Sequence, residues 1–136
     1  MSQPTKGRIT EAGTDRFYNA VSVDGHDFAM DEPTEMGGTD QGPSPFALVV
    51  AALGACTNMT LRMYADMKQW PLDQVQTDVV HTPSKEGHHF LRSITLEGTL
   101  DASQRLRLLE IANKCPVHKL LEGQATVESS LTEEAS

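Results

Sequence analysis

The chain has 136 residues, 38% of them hydrophobic, and a formal net charge of −8 at pH 7. That length supports one ordinary core, so a single domain, 1–136, is expected. The acidic balance, with a pI near 5.0, argues against nucleic acid or an anionic membrane surface as a partner, because both call for a basic face.

The N-terminal Met-Ser-Gln-Pro-Thr-Lys-Gly-Arg has no apolar core of the kind a signal peptide needs, which points to a cytoplasmic protein. The longest apolar stretch, Phe46 to Cys56, falls short of the roughly 20 residues that span a bilayer, so no membrane segment is expected. A weak strand signal covers Gly7 to Glu11. Residues 16–30 alternate apolar and polar side chains around Asp24-Gly25, a dipeptide favoured in tight turns, and predict a β-hairpin. Asp31 to Ser44 collects loop formers without an apolar period and reads as a long loop.

Ser44 before Pro45 has the character of an N-cap followed by proline in the first helical turn, and the run to about Lys68 predicts one long helix. Its first half, Phe46 to Ala55, is apolar on every side and is expected to be buried all round, with only Arg62, Asp66 and Lys68 reaching water. Small residues Ala51, Ala52, Gly54 and Ala55 would let other backbone come close around Cys56. Met59, Met63 and Met67 lie at helical spacing, a stripe that reads as core. Trp70-Pro71 ends the helix.

Gln74 to His81 and His89 to Leu100 alternate as strands about the turn at Pro83 to Gly87 and predict a second hairpin, with Phe90, Arg92, Ile94 and Leu96 on one side. His88-His89 reads as a solvated hairpin end. Asp101 can cap a helix across 102–114, a short helix follows Cys115-Pro116 to about Glu122, and a last strand is expected over 124–131 before a frayed tail from Thr132.

Cys56 and Cys115 are the chemically informative residues. A thiol reacts as thiolate, and a helix N-terminus or a nearby cation lowers its pKa. Cys115 precedes a proline that can open a helix, with Lys114 and His118 as possible positive partners. Cys56 lies mid-helix among apolar neighbours, which alone would raise its pKa. Taken singly, both could be packing residues. A metal reading would join Cys115 and His118 with His88, His89 or His26, yet Cys-x-x-His supplies two ligands where a structural zinc needs four. The Gly37-Gly38…Gly42 loop lacks the Gly-Lys-Ser/Thr ending of a phosphate loop.

Taken together, the hairpin, the Gly-rich loop, Ser44-Pro-Phe-Ala-Leu-Val-Val-Ala-Ala-Leu-Gly-Ala-Cys56, Met59-Thr-Leu-Arg-Met-Tyr64 and Asn113-Lys-Cys115-Pro-Val-His-Lys119 resemble the OsmC/Ohr family of peroxide-reducing proteins over nearly the whole chain. The resemblance implies an α+β, OsmC-like fold, with antiparallel sheets wrapped around long central helices in an intertwined homodimer. It also implies thiol-dependent reduction of organic hydroperoxides, with Cys56 passing through a sulfenic acid and then a disulfide with Cys115, and a thiol or dithiol restoring both. No metal or cofactor is implied. Family peroxidases pair the first cysteine with an N-terminal arginine and with a glutamate near the start of the central helix. Arg16 is the residue matched to that cation. Phe46 and Ala47 stand where the acid is expected, leaving Glu35 or Glu32 of the loop as substitutes. The alternative is a non-catalytic dimer that binds a small apolar ligand and keeps inert cysteines.

Overall fold

A computed structural model describes residues 3–13 and 15–132. The chain forms β1 (Gly7–Glu11), β2 (Asn19–Val23), β3 (His26–Met30), a 3-10 turn at Thr34–Met36, α1 (Pro45–Lys68), β4 (Leu72–Ser84), β5 (Gly87–Gly98), α2 (Ala102–Ala112) and α3 (Pro116–Leu121). This is the expected α+β class. Contacts group it into two compact units, Met1–Ala52 with Val80–Phe90, and Leu53–Val79 with Leu91–Ser136.

In the first unit β1, β2 and β3 form an antiparallel sheet in sequence order. Asp24 and Gly25 both adopt positive φ (48° and 83°) in the turn between β2 and β3, which is what their short or absent side chains allow. The loop after β3 folds around Asp31, only 2% exposed. Its carboxylate accepts hydrogen bonds from the backbone N–H of Glu32 (2.8 Å) and Gln41 (3.2 Å) and from the Thr39 hydroxyl (3.0 Å). Gly38 is required there, since a Cβ would lie 2.1 Å from the Glu32 carbonyl oxygen. His88 and His89 are exposed at the hairpin end, as expected, and His88 also lies against His81. His81 Nε2 and His88 Nδ1 lie 2.9 Å apart, and Phe46 stacks on both of these rings.

In the second unit Leu61 of α1 packs with Leu108, Ile111 and Ala112 of α2, flanked by Tyr64, Trp70, Val75, Ile94, Leu96 and Leu100. β4 and β5 form a two-stranded sheet, and both alternate in burial as their sequences predict. α1 is fastened to β4 by polar bonds as well. Arg62 donates to the Leu72 carbonyl (2.6 Å), and the Thr77 hydroxyl donates to the Asn58 amide oxygen (2.6 Å). The predicted cap of α2 is present as a capping box, Asp101 accepting from the Gln104 N–H and the Gln104 side chain accepting from the Asp101 N–H.

Three expectations fail. α1 begins and ends where the sequence places it, with the Ser44 hydroxyl accepting from the Ala47 N–H, but it is not buried all round. Phe46 is 53% exposed, and Met59, Met63 and Met67 are 67%, 71% and 68% exposed, so the methionine stripe is surface. Within one chain only the face bearing Leu53, Gly54, Thr57, Leu61 and Ala65 is covered. α1 is also long and apolar enough to cross a membrane by length and composition alone, a test that core helices of soluble proteins pass too. Asn58 and Arg62 of this helix are hydrogen-bonded to β4. Finally, residues 124–131 take no strand structure, and Val127 and Leu131 stay exposed. A strand persists only where a neighbour takes its N–H and C=O groups, and among the described residues no strand pairs with this segment. The tail beyond Thr132 lies outside the described residues.

Burial pushes the Asp31 carboxyl up, but its side-chain interaction with Asp15 and the hydrogen bonds from the Gln41 and Glu32 N–H groups and from Thr39 outweigh it and hold the pKa at about 2, below the ordinary 3.8. A folded-state pKa below the unfolded one contributes stability above the unfolded value, lost as pH falls toward the folded value. Thermal melts should therefore show wild type losing stability from about pH 4 toward about pH 2. Asp31→Asn should melt lower at pH 7, because an amide nitrogen then faces N–H donors, and its acid loss should be shallower. Equal melting temperatures at pH 7 would contradict this role.

Candidate functional site, a paired dithiol

Cys56 sits on α1, one turn beyond Leu53, at intermediate exposure. Cys115 is the N-cap of α3 and fully buried, and its sulfur accepts a hydrogen bond from the His118 N–H at 3.4 Å. Pro116, in the first turn of α3, supplies a fixed φ and has no N–H to satisfy. Packing of α2 on α1 through Leu61, Leu108, Ile111 and Ala112 carries the turn after α2, and with it Cys115, to the side of Cys56. Both thiols are free, and they are near enough for Cys115 to perturb the titration of Cys56 although 59 positions separate them in sequence (115 − 56).

The environment of Cys56 is mixed. Burial pushes its thiol pKa above the ordinary 9.0, and the neighbouring Cys115 side chain pushes the same way. The Val117 N–H and the Thr60 hydroxyl, which favour a negative sulfur, pull against them and lose. In the single chain Cys56 is therefore held as a thiol at neutral pH.

The structure adds residues that the sequence did not assign to the site. Arg92, on the inward face of β5, donates from one guanidinium nitrogen to the Thr57 hydroxyl (3.1 Å) and from another to the Asn113 amide oxygen (3.0 Å) and His118 Nδ1 (3.1 Å). Thr57 donates its own proton to the Leu53 carbonyl (2.7 Å), so toward Arg92 it is an acceptor. Because arginine only donates, the network assigns His118 Nδ1 as the acceptor and its Nε2–H as donor to Glu122 (3.1 Å). Among the described residues no carboxylate lies within ion-pair reach of Arg92. The sequence did carry one signal for it, an arginine among Phe90, Ile94 and Leu96 on the apolar face of a strand.

Arg16 lies in the first unit, between β1 and β2, with its guanidinium 5.1 Å above the Phe17 ring. Glu32 and Glu35 belong to the same unit. The Glu35 backbone N–H and the Thr34 hydroxyl hold the Glu35 carboxyl below its usual pKa. Among the described residues no group of three His, Cys, Asp or Glu side chains could hold a metal ion.

An α+β fold with a paired, unbridged dithiol is thus the class of molecule. The sequence model of the OsmC-like proteins matches residues 38–130, more than half the chain, and the protein belongs to that family. Among solved structures it is similar to an OsmC-like protein from Mycoplasma pneumoniae (17% identity, 90% of each chain, TM-score 0.77). It is also similar to an organic hydroperoxide resistance protein from Legionella pneumophila (18%, 90% of this chain and 92% of that one, TM-score 0.66) and to the organic hydroperoxide resistance protein OhrB of Bacillus subtilis (20%, 89% and 92%, TM-score 0.62). At such identities the likeness establishes the fold. Among curated proteins none matches.

The raised Cys56 pKa has a direct consequence. Thiolate absorbance should titrate with a midpoint above 9.0 in wild type. In Cys115→Ala the midpoint should fall, since one of the groups raising it is removed. A wild-type midpoint near neutrality would contradict the assignment.

Proposed function

We propose that the protein is a thiol-dependent peroxidase that reduces organic hydroperoxides to alcohols. The observation that supports this most is a part-exposed Cys56 with a fully buried Cys115 near enough to perturb its titration. One sulfur can meet a substrate, while the other waits behind it, shielded from solvent. The Cys56 thiolate attacks one peroxide oxygen and the O–O bond breaks. The leaving alkoxide takes a proton and departs as alcohol, and the sulfur becomes a sulfenic acid. Cys115 then attacks that sulfur, the S–O bond breaks, water leaves and a disulfide forms. A thiol or dithiol reductant returns both sulfurs by exchange and is itself oxidised to a disulfide.

An apolar alkyl or aryl tail is the expected substrate feature, since each buried CH₂ is worth about 0.8 kcal/mol. Arg16 remains the cation assigned to the thiolate by family resemblance. We place the protein in the cytosol as a single domain and as a homodimer. The exposed apolar stripe of α1 formed by Met59, Met63 and Met67 is what a second copy would cover. Sedimentation should find a dimer, and Met63→Lys should shift it toward monomer. A monomeric wild type at micromolar concentration would contradict that assembly.

The peroxidase itself is tested by stopped-flow loss of free thiol on mixing with cumene hydroperoxide or with hydrogen peroxide. Two thiols per chain should be lost, faster with the organic peroxide and faster as pH rises, because the thiolate is scarce at neutral pH. Cys56→Ser should abolish the reaction, and Cys115→Ser should stop it at sulfenic acid. The raised thiol of Cys56 and the full burial of Cys115 also favour a second reading, a non-catalytic dimer that binds a small apolar ligand. Thiols that survive excess peroxide for minutes would make that reading the leading one.

A further inference from the structure

We infer that Arg92 is a positioning residue for the dithiol, its guanidinium tying the Cys56 turn of α1 to the Cys115 turn between α2 and α3 and so holding the two sulfurs in bridging reach. The inference rests on the dithiol reading above and assigns a role to a residue outside the two cysteine motifs. Arg92 does not touch sulfur in this network. It acts through Thr57, the residue after Cys56, through Asn113, the C-cap of α2, and through His118, whose backbone N–H binds Cys115.

Three features set this fork apart from an ordinary surface arginine. All three of its acceptors are neutral, and among the described residues no carboxylate pairs with the guanidinium. Thr57 is fully buried, and its hydroxyl is oriented by its bond to Leu53, so the fork meets a preset acceptor. His118 is in turn oriented by Glu122, which leaves Nδ1 aimed at Arg92. The other charged groups of this region, Lys114 and Lys119, flank Cys115 and His118 in sequence and make no bond to the fork. A planar guanidinium can serve three acceptors in two directions at once. A lysine ammonium on a flexible stem cannot reproduce that geometry.

Within a folded chain, the stability of a disulfide against a reference dithiol measures the effective concentration of one sulfur at the other. Loosening the turn that bears Cys115 lowers it. Reduced protein is equilibrated in mixtures of reduced and oxidised dithiothreitol, and the Cys56–Cys115 disulfide is quantified by mass after alkylation. Arg92→Gln should shift the equilibrium about tenfold toward dithiol, some 30 mV in potential, and Arg92→Lys should not restore it. Thr57→Val, which keeps shape and removes one acceptor, should shift it the same way by less, and it serves if Arg92→Gln fails to fold. Arg105→Gln is the control for general loosening. Arg105 forks onto the carbonyls of Leu96, Gly98 and Leu100, and its loss should lower the melting temperature while leaving the redox equilibrium within about twofold.

An unchanged equilibrium in both Arg92→Gln and Thr57→Val, or an equal shift in Arg105→Gln, would overturn the assignment. No hydroperoxide enters this assay. A wild type that forms the disulfide in the redox buffers but does not consume peroxide would therefore end the peroxidase reading and leave the role of Arg92 standing, whereas a wild type that forms none would overturn both.

Discussion

The packing of α1 against α2 through Leu61, Leu108, Ile111 and Ala112 is the constraint on which the site depends. Neither cysteine motif carries the other's position, and the two become neighbours because α2, once laid on α1, brings the turn that follows it to the Cys56 side. Leu61, Leu108 and Ala112 are wholly buried, and truncating such a leucine to alanine typically costs about 2–5 kcal/mol. Polar bonds then fix what packing has approximated. The Arg107 side chain donates to the Tyr64 hydroxyl (3.0 Å), and Arg92 reaches Thr57, Asn113 and His118, so α1 is tied to α2 and to the turn after it by directional contacts.

Much of the fold was legible because it is local. Asp24-Gly25 encodes a turn, Ser44-Pro45 starts a helix, Asp101 with Gln104 caps another, and period-two alternation marks β4 and β5. The candidate site was half legible. Both thiols and His118 could be singled out from their neighbours, since Pro116 dictates the local geometry of Cys115. Arg92 could not be placed, because its acceptors lie 35, 21 and 26 residues away and only tertiary packing brings them to it.

The expectations that failed share one physical origin. An all-round apolar helix and a strand-like segment at 124–131 both state that something covers them, and neither states what. Among the described residues Met59, Met63 and Met67 stay largely exposed, and no strand pairs with 124–131. Sequence pattern reports the environment in which a segment is stable, and that environment need not be supplied by the same chain. The raised pKa of Cys56 in the isolated chain is of the same kind, a statement about burial and a neighbouring thiol with few groups to oppose them.

Whether the two thiols work as a pair is tested most directly by the intact mass of the reduced protein after one equivalent of cumene hydroperoxide per chain, with the linked peptides mapped. The expected product is a chain lighter by two hydrogens, with a single link between Cys56 and Cys115 and one equivalent of alcohol released. A chain that gains oxygen on either sulfur without forming the link, or that keeps its mass, would contradict the claim that the two thiols work as one redox pair.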